Sequence, residues 1–274
     1  MIRKTRGIVL HTTKFGESSL VAHCYTEQSG RQTFMLKGVR KSKKQNRSNL
    51  FQPLFILDFE VYHKDSREIQ LVKEVRRAIP LNSLPFDITK STQAIFIAEV
   101  LYRVLKEEEP NPVLANFLIS TIEYLDTMEE ASPDFHIIFM FQLSRHLGFY
   151  PQNNFGEEGF FFNLASGRFK AVFTDPENFL DEEASSLWHR FMRIDLQSVK
   201  TEGFNGIQRK ITLDNLVKFY KMHVNGMGDI RPWRFYMIFS SNRDCRKSIV
   251  FLCFRVTNAC ILRISNETDL ILVL

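Results

Sequence analysis

The sequence predicts a multidomain α+β protein: a small domain of five short β-strands, then an all-α helical domain. Three observations lead there. The 274-residue chain is longer than the usual single domain of roughly 100–200 residues. Residues 6 to 77 alternate apolar and polar side chains in short runs broken by turn residues. After LNSLPFD the spacing of apolar residues changes to the three-and-four rhythm of helices. With 44% hydrophobic and 24% charged residues the chain is globular, and its 26 phenylalanines suit a core packed with bulky rings.

The five strand-like runs are RGIVLHTTKF, SSLVAHCYTE, RQTFMLKG, LFILDFEVYH and REIQLVKEVRR, with FGES, EQSG and HKDS as turns. Five short strands at this spacing imply a small barrel or a sandwich. The first helix is STQAIFIAEVLYRVLKEEE, with Ser91 as a candidate cap. The next is NPVLANFLISTIEYLDTM, with Asn111 as cap and Pro112 in the first turn. In SPDFHIIFMFQLSRHLG, Ser132 and Pro133 open a third helix that ends at Gly148. FYPQNNFGEEGFFFNLASGRFKAVF then breaks the pattern as a loop and small hairpin near 150–175, packed by Phe160, Phe161 and Phe162. Helices resume at ENFLDEEASSLWHRFMR and at TLDNLVKFYKMHVNG, with Thr212 capping the start and Gly226 the end. From about residue 243 the runs SIVFLCF, ACILRI and DLILVL are β-like. The organisation expected is therefore 1–80, 81–242 and an extension 243–274 of unknown role.

Charge is unevenly spread. Residues 1–90 hold seventeen Lys and Arg against eight Asp and Glu, while the remainder is mildly acidic and the whole carries +5. A cationic module of this kind raises the local concentration of phosphate-bearing partners. The densest stretch, LKGVRKSKKQNRSNLFQPL, places Lys37, Arg40, Lys41, Lys43, Lys44 and Arg47 with no carboxylate among them. On a long loop of a small β scaffold, such cations can follow a phosphate backbone through counterion release, without sequence preference. Arg31 and Arg6 are further candidates on the strands, with Arg3 and Lys4 beside them. Tyr25, Phe34, Phe51 and Tyr62 lie near enough in sequence to stack on bases, although strand aromatics are more often core.

Enzymatic motifs are lacking. No GxxxxGK[ST], GxSxG or HExxH occurs, which leaves ATP hydrolysis, acyl transfer and zinc proteolysis without support. Asp58 and Glu60, with Lys64, fit the outline of a metal-dependent nuclease, since alternate strand positions share a face. The four cysteines form neither a disulfide framework nor a zinc knuckle, and the N-terminal MIRKTRGIVLHTTKF lacks the features of a signal peptide. A cytoplasmic protein without membrane contact is expected.

GIVLHTTKFGESSLVAHCYTEQSGRQTFMLKGVRKSKK, followed by QPLFILDFEVYHKDSREIQLVKEV, resembles the N-terminal domain of the RecO family of bacterial recombination and repair mediators. FQLSRHLGFYP and FYKMHVNGMGDIRPWRF continue the resemblance through about residue 242. It implies that the five strands form an OB-fold. It also implies binding of single- and double-stranded DNA, annealing of complementary strands, and help in loading RecA onto DNA coated with single-strand-binding protein (SSB), together with RecR. A helical docking site for the SSB C-terminal tail would use cations such as Arg103, Arg145 and Arg190. Many relatives carry a four-cysteine zinc finger where this chain has NNFGEEGFFFNLASGRFKAVF, so neither zinc nor any other cofactor is expected here. An RNA-binding OB-fold protein is the alternative reading, with a metal-dependent nuclease behind it.

Overall fold

The computed structural model describes residues 1–39, 47–196 and 203–230, together with the backbones of three strands at 250–254, 259–263 and 271–273. By its contacts the chain divides into two units, Met1–Glu129 and Glu130–Leu274.

The first unit opens with a closed five-stranded barrel, which decides between barrel and sandwich. Its strands are β1 (Ile2–Phe15), β2 (Ser19–Thr26), β3 (Gly30–Leu36), β4 (Ile56–Tyr62) and β5 (Ile69–Arg77), in the order β1-β2-β3-β5-β4. Closure depends on the long β1. Its first half pairs antiparallel with β4 (Ile2↔Tyr62 to Ile8↔Ile56), and its second half with β2 (Gly7↔Thr26 to Phe15↔Ser19). A register shift between Val9 and His11 bends the strand from one neighbour to the other. The ring is completed by a parallel β3–β5 pair. Inside lie Val9, Leu36, Leu57 and Phe59, with Phe34 stacked on Phe59 at 4.6 Å and Phe51 at 6.2 Å from it. Each fully buried Phe contributes about 1.5–3 kcal/mol. Tyr25, Phe34 and Phe51 are therefore core, and of the four stacking candidates Tyr62 alone is exposed.

Two helices complete this unit, α1 (Ile88–Val104) and α2 (Pro112–Thr127). Asn111 caps α2 as expected, accepting from the Leu114 N–H at 3.0 Å. Asp87, rather than Ser91, caps α1, because its carboxylate reaches the Lys90 N–H three residues on. Lys90 is buried, and its ammonium donates to Ser83 Oγ (2.6 Å), Asp126 O (2.9 Å) and Met128 O. The Asp126 carboxylate accepts from the backbone N–H groups of Asn82, Ser83 and Leu84. Burial opposes its charge, yet these donors hold it below the usual carboxylate range. The link from the barrel is thereby tied to the end of α2.

The second unit contains α3 (Phe135–His146), a hairpin of β6 (Phe161–Asn163) and β7 (Arg168–Lys170), then α4 (Glu182–Met192) and α5 (Gly206–His223). The start of α5 lies before the expected one. Asn205 forms a capping box with Gln208, whereas Thr212 is buried about two turns inside and donates to Gln208 O. Asp181 caps α4, and Ser132 Oγ accepts from the Asp134 N–H ahead of α3. The three phenylalanines of the hairpin do not act alike. Phe162 is buried against Trp188 (4.5 Å) and Phe169 (5.0 Å), Phe161 is half-buried, and Phe160 is 53% exposed. Gly159 (φ +151) lies so close to the Lys170–Ala171 peptide that no Cβ fits. The strands near the C-terminus, β8 (Val250–Phe254), β9 (Ala259–Arg263) and β10 (Ile271–Val273), form an antiparallel sheet in the order β10-β9-β8.

Candidate nucleic-acid interface

The barrel places its charged side chains in three different settings. At the end formed by the β1–β2 turn, β1 outruns the core and leaves Lys14 and Phe15 exposed beside Gly16. Lys37, just past the end of β3, is exposed at the same end, since Phe15 opposes Ser19 and the next β2 residue, Leu20, opposes Leu36. The cation-rich stretch follows from here. Arg40, Lys41, Lys43 and Lys44 lie outside the described residues, and Arg47 begins a 3-10 turn, Arg47–Leu50.

The second setting is the β1–β4–β5 face. Arg6 Nε meets Asp58 at 2.9 Å and Arg76 meets it at 3.5 Å; Lys4 and Lys73 meet Glu60 at 3.1 and 3.2 Å. The two carboxylates share a face as alternation requires, but each is engaged by one cation from β1 and one from β5. Hydrogen bonds from Lys4 and Lys73 hold the Glu60 carboxyl below its ordinary value. Lys64 is in the β4–β5 turn beyond the end of the strand. Asp58 and Glu60 thus form a charge ladder with neighbouring strands, and among the described residues no cluster of three or more His, Cys, Asp or Glu is placed to hold a metal ion.

The third setting is internal. Arg31 donates to the carbonyls of Tyr102 (3.0 Å) and Leu105 (2.9 Å) at the end of α1, and its guanidinium lies 4.3 Å from the Tyr102 ring centroid. Gly30, beside it, is left-handed (φ +55), and the backbone at Glu107 and Glu109 comes too close for a side chain. His11 and His23 pack on the same ring at 4.6 and 5.3 Å. Burial, with Arg31 nearby, lowers the pKa of both, that of His23 to about 4. Arg31 is thus a fastener between the barrel and α1, and Arg6 is committed to Asp58.

The helical cations are dispersed. Arg103, in the first unit, is 3.9 Å from Glu99 one turn away. In the second unit Arg145 lies over the Tyr150 ring at 4.4 Å and Arg190 over Phe204 at 4.3 Å, both exposed. The hairpin region has no cysteine, and its interior is filled by Phe155, Phe162 and Phe169 with Trp188. That donor set does not suit zinc. Sequence reasoning missed Lys14 and Phe15. The available signal was an aromatic residue directly before a glycine turn, where a strand has passed the end of its core.

A closed five-stranded OB-fold barrel followed by helices defines a class of nucleic-acid-binding architecture. Residues 1–78 match the model for the recombination protein O N terminal, and residues 85–228 match that for its C terminal. Similar proteins named DNA repair protein RecO occur in Phocaeicola vulgatus (33% identity, 82% of this chain and 93% of the relative) and Bacteroides fragilis (32%, 82% and 93%). Another occurs in Flavobacterium psychrophilum (32%, 81% and 92%). The chain belongs to the RecO family of DNA repair proteins. No helix among the described residues is long and apolar enough to cross a membrane.

Proposed function

We propose that this protein is a non-catalytic mediator of DNA repair and recombination. It binds single- and double-stranded DNA at the cationic end of its barrel, anneals complementary strands, and with RecR helps RecA replace SSB. The observation that carries this reading is the gathering of Lys14, Phe15 and Lys37 at the barrel end from which the cation-rich stretch departs. Phosphates held there by Lys37, Arg40, Lys41, Lys43, Lys44 and Arg47 give affinity without sequence readout, which annealing of arbitrary strands requires. The commitment of Asp58 and Glu60 to four cations weighs against the nuclease reading.

The helical unit is the proposed dock for the acidic, apolar C-terminal tail of SSB. Arg145 and Arg190 support this, each being an exposed cation lying on an aromatic ring. No zinc or other cofactor takes part. The test is an annealing assay with complementary oligonucleotides, naked and coated with SSB. Faster annealing in both forms is expected, with DNA preferred over RNA of matched sequence in competition. Failure to accelerate either form contradicts the mediator reading, and preference for RNA replaces it with an RNA-binding one.

A further inference from the structure

The hairpin of β8 and β9 brings together two cysteines that the sequence keeps apart. Cys253 of β8 and Cys260 of β9 are direct antiparallel partners, one pair in from the turn end, where Phe254 opposes Ala259. Six residues separate them in the chain, a spacing that announces neither a redox motif nor a zinc site. The register supplies what the spacing lacks. Opposed residues of an antiparallel pair have Cα atoms about 5.5 Å apart at a hydrogen-bonded position and about 4.5 Å apart at the alternate one. Both distances fall within the range of about 4.4–6.8 Å that a disulfide spans. Register partners also share one face of the sheet, because the period along each strand is two.

The company of the pair leaves it a simple chemistry. Phe251, Leu262, Ile271 and Val273 are the other residues on the same face of the three strands, and none of them ionises or binds a metal. In the order β10-β9-β8, Cys253 stands on an edge strand and Cys260 on the central one, so within the sheet Cys253 has a cross-strand neighbour on one side only. Cys24, by contrast, is buried in β2, and burial pushes its thiol pKa up, away from the thiolate that exchange requires. Cys245 lies outside the described residues.

We propose that Cys253 and Cys260 form a reversible thiol–disulfide pair that fastens β8 to β9, with a low-molecular-weight disulfide of the glutathione class as its oxidant. One cysteine, deprotonated, attacks a sulfur of oxidised glutathione and releases one glutathione thiolate. The other cysteine, deprotonated in turn, attacks the protein sulfur of this mixed disulfide and releases the second. The S–S bond of glutathione breaks and one between Cys253 and Cys260 forms. The two cysteines give up two electrons, glutathione takes them, and the two protons pass to the released thiols. Excess thiol reverses both exchanges. The link holds the hairpin in the register on which β10 depends, since β10 pairs with β9 alone. The pair lies beyond both family-matched segments, the second of which ends at residue 228, and does not rest on the DNA-binding reading.

The experiment treats the full chain with oxidised glutathione, blocks the remaining thiols with iodoacetamide in denaturant, and maps the product by mass spectrometry after trypsin. Cleavage after Lys247, Arg255 and Arg263 puts the two cysteines on separate peptides, SIVFLCFR and VTNACILR, so their link is read as one joined mass. Two of the four thiols should be lost and the joined peptide should appear, parting again in excess reduced glutathione. C24S and C245S should keep the link, whereas C253S and C260S should lose it. Four thiols remaining after treatment, a link made by Cys245, or separate glutathione adducts on Cys253 and Cys260 would overturn the pair. So would chains joined to one another in place of the internal link. A register control separates the sheet from nearness in the chain: combining Cys260→Ser with Ile261→Cys lengthens the tether by one residue but moves the partner to the other face. Geometry that forbids the two thiols to meet removes the gain in effective concentration, so this variant should form about tenfold less of the internal link. A yield equal to that of wild type would also overturn the proposal.

Discussion

Replacing Arg31 with alanine removes two charge-assisted hydrogen bonds to the final carbonyls of α1, at 3.0 and 2.9 Å, and one guanidinium–ring contact at 4.3 Å. Hydrogen bonds to a charged group contribute about 1.5–3 kcal/mol each, and a cation–π contact at a partly exposed site about 0.5–1 kcal/mol. Arg31 is only half-buried, so water can reach the abandoned carbonyls and recover part of that sum. A net loss of about 2–4 kcal/mol is therefore expected, roughly 6–12 °C in Tm for a unit of this size. Arg31→Lys should recover little of it, because an ammonium cannot lie flat on Tyr102 while donating to both carbonyls. Thermal and urea melts measure the loss, and DNA binding well below the new Tm measures what remains. The salt slope should equal that of wild type. A variant that melts like wild type but binds DNA with a slope lowered by about 0.7 would refute the reasoning and return Arg31 to the phosphate contacts.

Acid should destabilise the second unit through His136, whose pKa burial and Arg209 lower to about 3. The folded state holds it neutral while the unfolded chain takes up a proton, so its contribution is complete above about pH 6.5 and declines as pH falls toward the folded value. Between about pH 6.5 and about pH 5 the loss is about 2 kcal/mol, and urea melts of His136→Asn should show a flatter profile than wild type; an equally steep one would place the effect elsewhere. His23 adds a smaller loss of the same sign in the first unit, being half-exposed. Purified protein should contain no stoichiometric zinc and keep its melting curve in chelator, whereas Phe162→Ala should cost about 3–5 kcal/mol. Elemental analysis finding one zinc per chain would contradict this.

Much of the fold is legible in the sequence because local rules and tertiary packing agree. Alternation marks the five strands, and Asn111–Pro112 marks the start of α2 because its side chain and backbone both favour that position. Thr212 misleads as a cap because its hydroxyl bonds back to Gln208 within the helix, while Asn205 satisfies the same local rule about two turns earlier. The site is only half legible. A run of cations announces itself, but a lone arginine on a strand does not reveal whether a helix will close over it. Arg31 lies under α1 only because residues some seventy positions later return to the barrel. In the same way, the spacing of Asp58 and Glu60 fixes the face they share but not the four cations that β1 and β5 bring to them.

The proposed mediator function depends most on the cationic barrel end holding a phosphate backbone, and the salt dependence of single-strand binding measures this directly. With Lys41, Lys43 and Lys44 changed together to alanine, log K against log salt should lose about 2 from its slope, at roughly 0.7 per phosphate contact. Affinity should fall across all sequences, while the melting temperature stays within the change typical of surface substitutions, about 0.5 kcal/mol. A triple variant that keeps both the affinity and the slope of wild type would contradict the account.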